Sequence, residues 1–290
     1  MGPLDLVNLT QLMARTSGRA EIKIGLIDGP VALDHPDLAA HNIRQIPGKW
    51  SGACSKASSL ACLHGTFVAG MLMAKRGSAA PAICPACTLL VRPIFSEVAS
   101  ANGNMPSAQP EDLASAIVDT VNAGARLINL SAAVAQASAN GERELEEALN
   151  YAARRNVLVV VAAGNQGTVG SSVITRHSWV IPVAACDLQG RMMAASNLGN
   201  SIGKHGLTAP GNEVTSLAAQ GKPQPFGGTS AAVPFVVGAI ALIWSEVPSA
   251  SAAQIKLAIL QAGGQRRKAI APPLLNAWAA YDAMGAGREQ

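Results

Sequence analysis

Three residues far apart in the chain hold the parts of one acyl-transfer device. Asp28 closes the apolar run "IKIGLID", His64 stands in "LHGTFVAG", and Ser230 stands in "GGTSAAVP". A serine hydroxyl is a poor nucleophile at neutral pH and needs a base to take its proton. Imidazole suits that task because its pKa lies near working pH. A carboxylate then fixes the imidazole tautomer and stabilises the imidazolium. Asn165, in "VVVAAGNQG", follows another buried run and offers an amide to a developing oxyanion, alongside the Ser230 N–H. A helix start at Ser230 adds a positive dipole end, and the glycines before it let a substrate backbone come close. Singly, each residue has a plainer reading: Asp28 as a turn or cap, His64 as a helix-start histidine, Ser230 as an N-cap, Asn165 as a turn residue. Asp34 and Asp37 also lie near the first apolar run, but Asp28 directly follows it. His35, His41, His177 and His205 lack any such context.

These residues need a scaffold that brings strand ends and helix starts together. Strand-like apolar runs are expected at 22–28, 87–95, 126–132, 157–164 and 179–187. Helical patterns are expected at 64–75, 110–125 and 141–156, from Ser230 onward, and at 251–263. The helix at 110–125 has a proline and two acids in its first turn and Gly124 near its end. Strand–helix alternation implies right-handed crossovers and a parallel sheet covered on both faces, an α/β fold. Reactive groups in such folds gather at the carboxyl ends of the strands.

Composition narrows the function further. The chain has 290 residues, 49% hydrophobic, with a net charge of +4 and only 14% charged residues. That suits one large domain with an ample core and not a disordered tail. Basic residues cluster only at "QRRK" (265–268), and aromatics are 3%, which argues against a nucleic-acid surface. The longest apolar run, Ala231 to Trp244, is short for a bilayer and contains Pro234. The N-terminal residues show no basic start followed by an apolar block, so neither a signal peptide nor a membrane anchor is expected, and the cytoplasm is the expected compartment. Five cysteines (Cys54, Cys62, Cys84, Cys87, Cys186) leave three readings open: one or two local disulfides, free thiols, or a four-thiolate zinc site from the first four.

"IGLIDGPVALDHPDL", "HGTFVAG", "VVAAGNQG", "TAPG" and "GGTSAAVP" resemble the landmarks of the subtilisin-like serine proteases, in that family's order Asp, His, Asn, Ser. The likeness runs from about Ile22 to "LLNAWAAYDAM". It implies one peptidase domain over 1–290, with residues 1–21 leading in and no pro-segment. The implied fold is three-layered, a mostly parallel central sheet between helices. The implied activity is a serine endopeptidase with Asp28, His64 and Ser230 as the triad and Asn165 at the oxyanion. Substrate backbone is expected along Ser131, Ala132 and Ala133 and along a second edge near 96–104, with the far wall from 167–173, Ser171 included, and Gly164 as a further substrate-binding residue. Ala132 and Ala133 depart from the family's Leu-Gly-Gly, and no acid on the far wall favours a Lys or Arg side chain. No cofactor is expected, and no calcium at the loop after the His64 helix. A narrower likeness, in "LVNLTQLMARTSGRAEIKIGLIDGPVALDHP" and "LLVRPIFSE", is to the proteases that mature cyanobactins of the patellamide type. It implies a precursor peptide as substrate. A macrocyclase on the same triad, a small-ester esterase and a non-catalytic peptide-binding module are the alternatives; oligomeric state is not legible.

Overall fold

The computed structural model describes residues 2–38, 40–97, 108–131, 139–220, 222–263 and 270–285. Seven strands form one sheet: β1 (Lys23–Asp28), β2 (Ile43–Gln45), β3 (Thr88–Pro93), β4 (Leu127–Leu130), β5 (Leu158–Ala162), β6 (Val180–Cys186) and β7 (Leu207–Pro210). Their order is β2-β3-β1-β4-β5-β6-β7, and every pairing is parallel. A small antiparallel pair, β8 (Val214–Ser216) and β9 (Gln224–Phe226), stands apart. The helices are α1 (Pro3–Leu6), α2 (Leu9–Arg15), α3 (Leu60–Met73), α4 (Pro110–Asn122), α5 (Ala139–Arg154), α6 (Val173–Arg176), α7 (Asn200–His205), α8 (Thr229–Glu246), α9 (Ala252–Gln261) and α10 (Ala277–Gly285).

The sheet is buried on both faces, so its strands read as continuous apolar runs and side chains alternate between two cores. Leu26, Leu127, Leu158 and Val160 enter the core shared with α3, α8 and α9. Ile27, Ile128, Val159 and Val161 enter the core under α4 and α5. Helix α5 meets its core with Leu145, Ala148, Leu149 and Ala152, one stripe at helical spacing. Helix α8 is apolar all round and is the core of the larger side. It is long and apolar enough to span a bilayer, yet 89% of that window is buried inside the protein.

The chain leaves β1 toward β3 on one side and later places β4 on the other, so the strand order reverses at β1. Crevices at such switch points are where open α/β sheets hold ligands. Asp28 ends β1, Ser131 follows β4, and Asn165 lies shortly after β5, three neighbouring carboxyl ends.

The expected strands and main helices are present, with one revision that bears on the site. Helix α3 begins at Leu60, so His64 lies in its second turn and not at its opening. Ser59 is the cause: its side chain accepts from the Cys62 N–H and starts the helix a turn early. Strands β2, β7, β8 and β9 and helices α1, α2, α6, α7 and α10 were not expected; all are short, with too few residues to show a period.

Candidate active site

Asp28 and His64 meet because two glycines let backbone press against backbone. A side chain on Gly29 would start 2.0 Å from the Ala61 carbonyl oxygen, and one on Gly65 would start 2.4 Å from that of Pro30. The end of β1 therefore lies directly on the first turns of α3. At that contact His64 Nδ1 and Asp28 Oδ1 are 2.7 Å apart, with Asp28 fully buried and His64 6% exposed. The same oxygen accepts from the Gly29 N–H at 2.6 Å, while Asp28 Oδ2 is buried with no partner among the described residues. Burial is the strongest single influence on His64 and pushes its pKa down. The charge of Asp28 and its hydrogen bond push it up and together win, so the imidazole titrates above its ordinary value. Phe226 packs edge-on to the ring, centroids 5.9 Å apart, and shields this side from water.

Ser230 is the second residue of α8, where backbone N–H groups have no acceptor within the helix. Gly228, the N-cap, has φ +90°, and a side chain there would start 2.8–3.1 Å from the Asn165 amide. Only glycine fits that conformation and that space. Pro234 has no N–H to bond the Ser230 carbonyl one turn back. Ser131 Oγ fills the gap, donating to that carbonyl at 3.3 Å, while Ser230 Oγ donates to the Ser131 carbonyl at 3.3 Å. Buried Asn129 donates to Ser131 Oγ at 2.9 Å and holds it in place. The Ser230 hydroxyl thus rests on Ser131 and makes no hydrogen bond to His64 here. Catalytic hydrogen bonds are often unmade in ligand-free sites and tighten around substrate.

Asn165 is oriented through its oxygen. Oδ1 accepts from the Thr229 N–H at 2.8 Å and the Thr229 hydroxyl at 3.1 Å, which commits that atom and turns the amide N–H₂ outward as a donor. Its neighbour Gly164 has φ +108°, and its N–H donates to Thr229 Oγ1 at 3.2 Å. Thr229 links the β5 loop to the start of α8, a role not anticipated from sequence; its place beside the nucleophile was the available signal.

Among the other expected residues, Ser131 is buried and spends its groups on Ser230. Ser171 is exposed on the loop after β5, beside Ser172, which caps α6. Ala132, Ala133 and most of the edge at 96–104 lie outside the described residues, as does "QRRK". Cys54 and Cys62 form a disulfide, which overturns the four-thiolate zinc reading because bonded sulfurs are no longer thiolates; Cys84, Cys87 and Cys186 are free and buried. Cys186, pushed up by burial to about 11, is an inert thiol.

Comparison with known proteins agrees with this fold. The subtilase family matches residues 19–274, and the chain belongs to that family. The thermostable alkaline protease of Halalkalibacterium halodurans is 31% identical over 264 residues, 89% of this chain and 66% of the relative. The chain thus spans just under two thirds of that relative's length. Among solved structures, the protease domain of PatA superposes with a TM-score of 0.82 at 29% identity, over 94% of this chain and 98% of that one. The prenylagaramide maturation protease PagA gives 0.80 at 28% identity, over 94% and 98%.

Proposed function

We propose that this chain is a serine endopeptidase that cuts a ribosomally made precursor peptide. The observation that carries the reaction is the buried Asp28–His64 pair, 2.7 Å apart, on the carboxyl edge of the sheet that also holds the loop to Ser230 and Asn165. In this reading substrate displaces the Ser230 hydroxyl from the Ser131 carbonyl. His64 Nε2 takes its proton as Oγ attacks the scissile carbonyl carbon. The negative oxygen of the tetrahedral intermediate is held by the Asn165 amide and the Ser230 N–H, donors whose positions are already set. His64 returns the proton to the leaving amine, and Asp28 stabilises the imidazolium in between. Water, activated by the same imidazole, then releases the acyl group.

The precursor reading is supported by the likeness to the prenylagaramide maturation protease PagA, over nearly the whole of both chains. The first test is labelling with a fluorophosphonate, wild type beside Ser230→Ala, with peptide mapping. A label on Ser230 that the variant loses is expected; no label on folded wild type would sink the protease reading. Incubation with a precursor peptide and with casein, read by mass spectrometry, tests the substrate. Preferential cutting of the precursor is expected, and equal cutting of both would remove the maturation role. A product one water lighter than the cut peptide would mean cyclisation in place of hydrolysis.

A further inference from the structure

Asp28 and His64 belong to different parts of the fold, and one carboxylate joins those parts. Asp28 sits on β1, paired with Pro93 of β3, and the Ile94 N–H donates to the Asp28 carbonyl at 2.9 Å. Glu97 follows shortly on the same segment. Its side chain reaches to the loop that precedes α3. Oε2 accepts from the Ser55 N–H at 2.8 Å and the Ser55 hydroxyl at 2.5 Å; Oε1 accepts from the Lys56 N–H at 2.8 Å and the Ser59 hydroxyl at 3.4 Å. Ser59 is the N-cap of α3, and its Oγ accepts from the Cys62 N–H at 3.1 Å. The Cys54–Cys62 disulfide closes the same loop, and Cys62 precedes His64 by two positions in the helix. Pro30, next to the catalytic strand end, lines one cavity of about 350 Å³ together with Ser55, Lys56 and Glu97, so the clamp abuts both parts.

All four donors are neutral N–H or O–H groups, and together they need acceptor capacity on both oxygens. An ionised carboxylate offers it; a carboxamide would turn an N–H₂ toward one pair of donors. Burial pushes the Glu97 pKa up, but the bonds from Ser55, Lys56 and Ser59 outweigh it and keep the group charged.

Building on the protease reading, we propose that Glu97 is a positioning residue for acyl transfer, tying the start of α3 to the Asp28 end of the sheet and so holding the His64 ring at the Asp28 carboxylate. The disulfide restrains the loop against the helix, and Val31, just past β1, exchanges backbone hydrogen bonds with Gly52 and Cys54 at 2.9 and 3.1 Å; Glu97 adds the side-chain tie from the β3 segment to the start of α3. Loss of that tie lets α3 start shift relative to β1, and misplacement of a reacting group by about 1 Å costs on the order of 10²-fold in rate.

The test is saturation kinetics of fluorophosphonate labelling for wild type, Glu97→Gln and Ser55→Ala, with Ser230→Ala as the blank and circular dichroism melting as the fold check. For Glu97→Gln the limiting labelling rate should fall roughly 10- to 100-fold, the misplacement effect in whole or part. The half-saturating probe concentration should stay within about twofold, and the pH midpoint of the rate should drop because Asp28 holds His64 less firmly. Ser55→Ala removes one bond and should lie between. A folded Glu97→Gln with wild-type limiting rate and midpoint, or one changed only in half-saturation, overturns the proposal. If Glu97→Gln does not fold, Ser55→Ala decides, and its unchanged limiting rate overturns it. Failure of wild type itself to label defeats the protease reading and is separable from either result.

Discussion

Replacing Asp28 by Asn keeps the shape of the site and removes the charge that governs His64. The two groups stand 2.7 Å apart. Two unit charges at that separation interact by about 6 kcal/mol at an effective dielectric of 20, before desolvation is counted. Measured on another serine protease, the equivalent change lowers kcat about 10⁴-fold, or roughly 5.4 kcal/mol of barrier, so the two figures are of one size. The sign of the pH effect is a sharper test than the size. In the wild type, burial depresses the His64 pKa and Asp28 more than compensates, so the rate should rise with a midpoint above the ordinary 6.5. In Asp28→Asn, burial is unopposed, and the midpoint should fall below it. The assay is the labelling rate, and hydrolysis of a peptide that wild type cuts, followed from about pH 5 to 9. A variant whose midpoint stays above that of free imidazole, or whose rate falls by less than about tenfold, would refute the assigned roles of burial and Asp28.

Asn165→Ala should lower kcat by about 10²–10³ with little change in KM, since the amide acts on charge that exists only in the transition state. Gly228→Ala should lose activity and about 1–3 kcal/mol of stability in chemical denaturation, because φ +90° with ψ −175° strains an L-residue and its methyl would strike Asn165. A raised folded-state pKa at His64 contributes stability that is full below the unfolded value and fades as pH rises through the folded one; denaturation midpoints should therefore show Asp28→Asn more damaging near pH 5.5 than near pH 9. Thiol titration in denaturant should count three groups without reductant and five after reduction, with none reacting readily in the native protein.

Much of the scaffold was legible because its signals are long. Apolar runs such as "VLVVV" and the acid-first, base-last pattern of α5 announce themselves over many residues. Short pieces did not. Strand β7 is four residues ending in Pro210, and the β8–β9 pair is held by packing more than by pattern. The start of α3 was misjudged because the decisive signal, Ser59 as N-cap, sits in a polar stretch that reads as loop.

The chemistry of the site was written in residue types: a carboxylate, an imidazole, a hydroxyl and an amide, each beside an element end, suffice to name the reaction. What tertiary structure alone decided is how those groups are held. That Gly29 and Gly65 press β1 onto α3, that Pro234 frees a carbonyl for Ser131, that Thr229 turns Asn165 and that Glu97 spans sheet and helix are contacts between residues distant in sequence. Local pattern carries the chain's periodicity and its caps. It carries no record of which distant backbone will come within touching distance, because that is set only when the whole core packs.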